Sequence, residues 1–388
     1  MTSSAYYASE IRGKTFDVRD AGAYVDDSHD DTVAVQDTIN ACVEAGGGDV
    51  VIPDTRKSCI IDGALQRDIG GIDYKSQLYV PYAAYNDTER VHIRIRGEYP
   101  PSFVQSGPLV SYKAPTTGSR LRSTLVSDVS DSYLIASRQS GGTTWQYYNY
   151  NDLSIENLSL LVAVNGSSQV TLGGVDVRET SDSFIKNVTI FPFNIAMQDT
   201  AAPINNCIGL AMGKRDCYNA QLADNVAIGG FDSGIYTGDH TSLRDVQIIC
   251  CKYGYKIGAN YQAMFAMRIG AYWCINDFYF TGAANVKVSE FQSEWRQVGK
   301  WYDSGYTILD TSNYGHGEIN YSMTEAGVGF NNAKFTKSGG ANLQCIPIAF
   351  SAASAFTITG ARDDGTALAD LLSKLAAKGI IIDNTTES

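Results

Sequence analysis

Between Asp31 and Gly48 the apolar positions Val35, Ile39, Cys42 and Val43 fall three and four apart, the spacing of an amphipathic helix with one buried face. Asp31 stands where an N-cap belongs, and the run Gly46, Gly47, Gly48 stands where a helix stops. "DVVIP" at Asp49 then reads as a short buried strand. From Asp152 onward the pattern changes to "LSIENLSL" at Leu153, "SFIKNVTI" at Ser183, "LADNVAI" at Leu222, "LRDVQII" at Leu243, "INDFYF" at Ile275 and "VKVSEF" at Val286. Each sets a polar residue, often Asn or Asp, before a short β-branched strand. A second phrase follows several of them: "PFNIAMQD", "FDSGIYTGD" and "KYGYKIGAN". Gly238 and Gly258 lie twenty residues apart, and Gly282 follows after twenty-four.

A period in the low twenties, with short strands and a glycine-bearing turn in each, is the signature of a parallel β-helix. A β-sandwich with irregular loops also yields many short strands; the repeating phrases favour coils. The fold expected is all-β, a right-handed parallel β-helix whose open end is covered by the N-terminal helix. Residues 1–55 form the segment with the capping helix. Residues 56–330 form coils with loop insertions, one of them between Gln198 and Asp224. Residues 331–388 form a strand and helix that cap the stack or support association. There Leu368, Leu371, Leu372, Leu375 and Ala376 line one helical face ended by Gly379.

Composition narrows the partner. Of 388 residues 44% are hydrophobic and 19% charged, and the net charge is −12 without any Lys/Arg block. Nucleic acid, which needs a basic footprint, is excluded, and a neutral or weakly charged polymer fits better than a strongly anionic one. No run is long and apolar enough for membrane insertion. The first residues, MTSSAYYASEIRGKTF, have neither a basic n-region nor an apolar h-region. Eight cysteines without a C-x-x-C pair read as buried, reduced thiols. No metal site or cofactor is expected.

The stretch "FDVRDAGAYVDDSHDDTVAVQDTINACVEAGGGDVVIP" resembles the N-terminal signature of the pectate-lyase-like superfamily of right-handed β-helices. Ala21, Gly22, Ala23, Asp30, Asp31, Thr32, Gly46 to Gly48 and Pro53 match, while Ala21 stands where Phe is usual and "DDS" at Asp26 replaces Asp-Gly-x. That group holds polysaccharide lyases, polygalacturonase-type hydrolases, fructan-processing enzymes and phage tailspikes. The resemblance implies a helix capping the coil stack, a polysaccharide or oligosaccharide as partner, a homotrimer, and an extracellular or virion-associated place. Its catalytic motifs do not carry over. "GHG" at Gly315 has no Asp-Asp on the coils before it and no Arg-Ile-Lys after it, and the Arg-x-Pro-x-x-Arg phrase of pectate lyases is absent.

Site residues are therefore argued from stacking. If "NIAMQD" and "GIYTGD" are equivalent on adjacent coils, Asp199 and Asp239 lie one strand spacing apart, roughly 4.8 Å, and such a pair shares a proton as glycosidic cleavage requires. Asp239 is the favoured acid, with His240 beside it and Arg244 five positions on. "VSEFQSEWRQ" places Glu290, Gln292 and Glu294 at period two, with Trp295 next, a set suited to a sugar groove in which Glu290 or Glu294 is the catalytic partner. His240, Arg244, Gln292 and Trp295 are the expected substrate contacts. Asp176 and Arg178 share one facing as an ion pair, with Glu179 opposite. The expected function is cleavage of glycosidic bonds by carboxylate acid/base chemistry. The alternatives are a tailspike-type glycan adhesin and a polysaccharide lyase.

Overall fold

In a computed structural model the chain is described over residues 14–81, 91–102, 105–106, 111–112, 115–138, 152–166, 168–180, 182–195, 203–213, 221–258, 261–281, 284–294, 307–310, 316–322, 334–337 and 343–345. Two parallel sheets dominate. The first runs through Thr15–Asp17, Gly47–Ile52, His92–Gly97, Asp152–Val162, Phe184–Pro192, Gln221–Gly229, Thr241–Ile249, Tyr261–Tyr272, Ala284–Glu294, His316–Ser322 and Leu343–Cys345, with a side branch of Cys59–Ile61 and Arg120–Ser123. The second runs through Ser76–Val80, Tyr133–Ser137, Gly173–Asp176, Ile208–Ala211, Ser233–Thr237, Tyr253–Ile257, Asn276–Phe280, Thr307–Asp310 and Lys334–Lys337. Between Asp152 and Asp310 each coil gives one long strand to the first sheet and one short strand to the second, and the chain is a right-handed parallel β-helix. Both sheets continue past residue 330.

The polar residue ahead of each β-branched run marks a corner. Asn157, Asn187, Asn225, Asp245 and Arg268 all sit in the left-handed region, with φ between 51° and 54°, and successive registers stack them in one file. Asparagine tolerates that backbone, and its amide bonds along the file. Asn187 Nδ2 donates to Asn157 Oδ1 and Asn225 Nδ2 to Asn187 Oδ1, both at 2.8 Å, and Arg268 makes a two-pronged contact to Asp245 at 2.7 and 2.6 Å. Each long strand thus bends once and lines two sides of the coil.

Beyond the corner Leu158, Leu160, Val188, Ile190, Val226, Ile228, Val246 and Ile248 are buried in one continuous core. Opposite them the second sheet places Gly174, Gly209 and Gly234. A Cβ on these would overlap Ile190, Ile228 and Ile248 in turn. The narrow coil is filled by pairing a residue without a side chain with an isoleucine across it.

The helix α1, Thr32–Glu44, buries Ala34, Val35, Ile39, Cys42 and Val43 against this core. Asp31 is its N-cap residue, yet its carboxylate accepts from Tyr24 N (2.7 Å) and Val25 N (3.1 Å), and Asp30 Oδ1 takes the Thr32 amide at 3.0 Å. The glycine run follows from close approach: a Cβ on Gly47 would overlap the His92 carbonyl, and one on Gly48 would lie 2.7 Å from the Lys14 carbonyl.

Two sequence readings are corrected by the register. "INDFYF" belongs to the second sheet, not to the series of long strands, because the long strand of that coil is Tyr261–Tyr272. The Gly238 to Gly258 interval is a true coil, since Thr237 pairs with Ile257. Ile257 pairs with Phe280, however, so Thr281 rather than Gly282 continues the file. Cys42, Cys59, Cys207, Cys250, Cys251 and Cys274 are buried and unbridged.

Candidate functional site

Along the second sheet Val175, Leu210, Ile235 and Tyr255 lie in the core, and the glycine ahead of the first three also faces it. The next residue of each strand turns outward. The register therefore writes one outward file across the coils: Ala136, Asp176, Ala211, Tyr236, Lys256 and Tyr279. Beside it Tyr133, Ile208 and Ala211 form a small second cluster against which Tyr236 packs.

The upper part of this face is a fixed ion cluster. Arg178 Nε and Nη2 grip the Asp176 carboxylate at 2.9 and 2.7 Å, and Nη2 also donates to Asp131 Oδ1 at 2.9 Å and to Tyr133 Oη at 3.2 Å. Arg138 Nη2 reaches Asp176 Oδ2 at 3.0 Å from the other side. Tyr133 Oη donates to Asp131 Oδ1 at 2.6 Å. Asp176 is 1% exposed. Burial works to raise its pKa, and Arg178 with Arg138 outweighs burial and holds it below the ordinary carboxylate value. Such an anion keeps no proton to give.

The lower part is aromatic and cationic. Tyr253 and Tyr279 stack with centroids 4.4 Å apart, Lys252 Nζ lies 5.0 Å over the Tyr253 ring, and Arg178 lies 5.9 Å over Tyr236. Lys256, between Tyr236 and Tyr279 in register, donates to Asn206 Oδ1 at 3.1 Å. Burial lowers its pKa from the ordinary lysine value against the pull of Asp232 and Asp131. Lys252 pairs with Asp232 at 3.6 Å. Flat rings, amide and ammonium donors and nearly balanced charge share one sheet face.

Of the expected site residues, Asp239, His240 and Arg244 have described side chains. Asp239 is 2% exposed in the turn after Ser233–Thr237, its Oδ1 3.1 Å from His240 Nδ1. His240 is itself left-handed, with φ 51°. Arg244 does not join them. Leu243 takes the inward position of its strand, and the Arg244 fork closes on Asp224 one coil away at 2.8 and 2.5 Å, holding that carboxylate below its ordinary pKa.

Asp199 and Trp295 lie outside the described residues, but the equivalence that paired Asp199 with Asp239 does not hold. "GIYTGD" is a second-sheet phrase whose in-register predecessor is Ile208–Ala211, while "NIAMQD" follows the first-sheet strand Phe184–Pro192. Glu290, Gln292 and Glu294 are on the first-sheet strand Ala284–Glu294. The register sets Gln292 beside Gly270 and Glu294 beside Tyr272, with Glu290 between the pairs Met267↔Ser289 and Ile269↔Phe291, at the corner file. Thr241, next to the Asp239 turn, is in register with Met264 and Val286. Glu290 is four residues further along that strand, about 13 Å at 3.3 Å per residue. Asp176 and Arg178 do share a facing, as the sequence reading has it, but as the centre of a buried cluster.

Sequence reasoning missed Tyr133, Arg138, Tyr236, Lys256, Tyr253 and Tyr279. A signal was present: aligning "GGVD", "IGLA", "SGIY", "YGYK" and "NDFY" at Gly173, Ile208, Ser233, Tyr253 and Asn276 yields both the outward file and the glycine file.

No family model and no curated protein sequence matches the chain. Among solved structures it is similar to PfbA, a surface adhesin of Streptococcus pneumoniae, at 11% identity over 80% of this chain and 73% of that one, with a TM-score of 0.41. It is similar to an iota-carrageenase from A. fortis at 17% identity over 73% of this chain and 58% of that one, with a TM-score of 0.39. It is also similar to ORF18 of Geobacillus virus E2 at 13% identity, over 88% and 61% of the two chains, with a TM-score of 0.34. On its own sheets and register, the chain is a right-handed parallel β-helix protein.

Proposed function

We propose that this protein binds a neutral or weakly charged polysaccharide along the outer face of its second sheet. The observation that carries the reading is the file Tyr236, Lys256, Tyr279 with the Tyr253–Tyr279 stack. Pyranose faces stack on flat rings, hydroxyls bond to amide and ammonium donors, and a file that repeats at every coil suits a polymer laid along the axis. The ion cluster of Asp176, Arg178 and Arg138 keeps the upper end of the face rigid, as a binding surface needs.

Hydrolysis is the second reading, favoured by one observation: Asp239, buried against His240 in the turn that follows Tyr236 by two residues. In that reading Asp239 protonates the leaving oxygen. Retention on a panel of immobilised plant, bacterial and fructan polysaccharides tests the first reading. Tyr253→Ala and Tyr279→Ala are expected to weaken binding at least tenfold, and unchanged retention in both would overturn it. Product analysis with wild type and Asp239→Asn tests the second. New reducing ends from wild type alone support hydrolysis, unsaturated ends would make the protein a lyase, and an uncut but retained glycan leaves an adhesin.

A further inference from the structure

The charged groups of the second-sheet face can be matched one against another. Arg178 and Arg138 close on Asp176 at 2.7 and 3.0 Å, and they reach Asp131 at 2.9 and 3.8 Å. Lys252 faces Asp232 at 3.6 Å. Asp232 is 3% exposed and also takes the Asn206 amide at 3.3 Å and the Ser233 hydroxyl at 3.4 Å. Three carboxylates thus meet three cations, and Lys256 is the cation left over.

Lys256 is half-buried in the outward file, with Tyr236 on the strand to one side and Tyr279 on the strand to the other. The two tyrosines are therefore two strand spacings apart, roughly 9.6 Å along the stack. Among the described residues no carboxylate comes within ion-pair distance of the Lys256 ammonium. An ammonium carries three donors, and this one spends a single donor, on Asn206 Oδ1 at 3.1 Å. Asn206 sits in a left-handed turn, with φ 60° and its own amide on Asp232, so the contact holds the ammonium over the face instead of letting it sweep through solvent. Burial lowers the Lys256 pKa from the ordinary value, against the more distant pull of Asp232 and Asp131. A partly desolvated cation with donors open, flanked by flat rings and reached from solvent, is short of one negative charge.

We infer that Lys256 binds an anionic substituent, a carboxylate or a sulfate ester, on the sugar lying between those stacked on Tyr236 and Tyr279. The inference rests on the glycan-binding reading of this face and narrows it to a polymer whose acidic sugars are spaced by neutral ones. A run of adjacent acidic sugars would set its other charges over the tyrosine rings, where Arg178 and Lys252 already have carboxylates. Lysine is a point charge without the fixed fork of arginine, so it takes a carboxylate or a sulfate alike.

The test is retention of the full chain on immobilised polysaccharides. Hyaluronan and gellan, which carry carboxylates spaced by neutral sugars, are set beside their carboxyl-reduced forms. Carboxyl-reduced chondroitin sulfate, which keeps only spaced sulfates, is set beside its desulfated form. Dextran, inulin and polygalacturonate complete the panel. Wild type is expected to prefer at least one acidic form to its neutralised partner by about tenfold, a preference that fades with added salt. A preference within the carboxylate pairs supports a uronic sugar, and one within the sulfate pair supports a sulfate ester. Lys256→Gln should erase the preference, and Lys256→Arg, which keeps the charge, should retain it. Equal retention of the paired forms, a preference that survives in Lys256→Gln, or retention of polygalacturonate above every spaced polymer would overturn the inference. Neutral forms retained through Tyr253 and Tyr279 without an acidic preference would overturn the part given to Lys256 and leave the glycan face standing. If nothing on the panel is retained, both readings fall.

Discussion

Asp176 is charged because two guanidiniums face it, and that fact sets how the molecule responds to acid. Its folded pKa is held below the unfolded value of about 3.9. The stability it contributes is therefore complete above that pH and is lost as pH falls through the folded value. Asp176→Asn leaves Arg178 and Arg138 short of charge in a buried place. It is expected to cost about 3 kcal/mol near neutral pH and to flatten the decline of stability below about pH 4, both read from urea unfolding across pH. None of this cluster was legible as a unit, since Asp131, Tyr133 and Arg138 are far from Arg178 in sequence and meet it only through strand register. The Asp176 and Arg178 facing was legible, because period two along one strand is local information. The corner asparagines were legible as punctuation, and their role appears only with the left-handed φ. Asn225→Val places a β-branched residue there and removes the Asn187 contact. It should cost about 2 kcal/mol, while Asn225→Gly keeps the backbone and should cost less.

At the scale of the element, the strands of the two sheets are coupled through volume. Gly234 has ordinary backbone angles, so its lack of a side chain is a packing requirement set by Ile248. Gly234→Ala is expected to destabilise by about 1–3 kcal/mol. In an Ile248→Ala background the same change should cost less, because the new methyl enters the space the isoleucine leaves and meets only the Gly254 carbonyl at 3.0 Å; the double-mutant cycle measures the coupling. A cycle with no coupling would mean that the two sheets adjust independently. Helix α1 was legible from its periodicity alone, since one apolar face and a triple glycine are local signals. Ile39→Ala, on its buried face, should cost about 2–5 kcal/mol, with the loss read from thermal or urea unfolding. Both strand kinds share the pattern of a polar residue before an apolar run, and that is why "INDFYF" reads as a first-sheet phrase although register assigns it to the second.

For the molecule as a whole, function follows from which columns of side chains the stacking exposes. The aromatic face depends on a register that no single phrase reveals, which is why its residues were not legible in the sequence. The coil from Gln221 to His240 offers a direct handle on that dependence. Gln221 pairs with Thr241 and Ser233 with Tyr253, twenty residues on in each case. Removing residues 221–240 as a block would bring Thr241–Ile249 against Phe184–Pro192 and Tyr253–Ile257 against Ile208–Ala211 with inward and outward positions unchanged. The Gly209–Ile228 and Gly234–Ile248 contacts would be replaced by a single one of the same kind, Gly209 facing Ile248, while Gly254 keeps its place beside Ala271. Circular dichroism and cooperative unfolding should survive the deletion, whereas removal of nineteen residues should not.

The opposed files of glycine and isoleucine carry that consequence furthest. Because each coil's cross-section is balanced within itself, the chain can grow or shrink by whole turns, and the reach of its outward file is a length that duplication can reset.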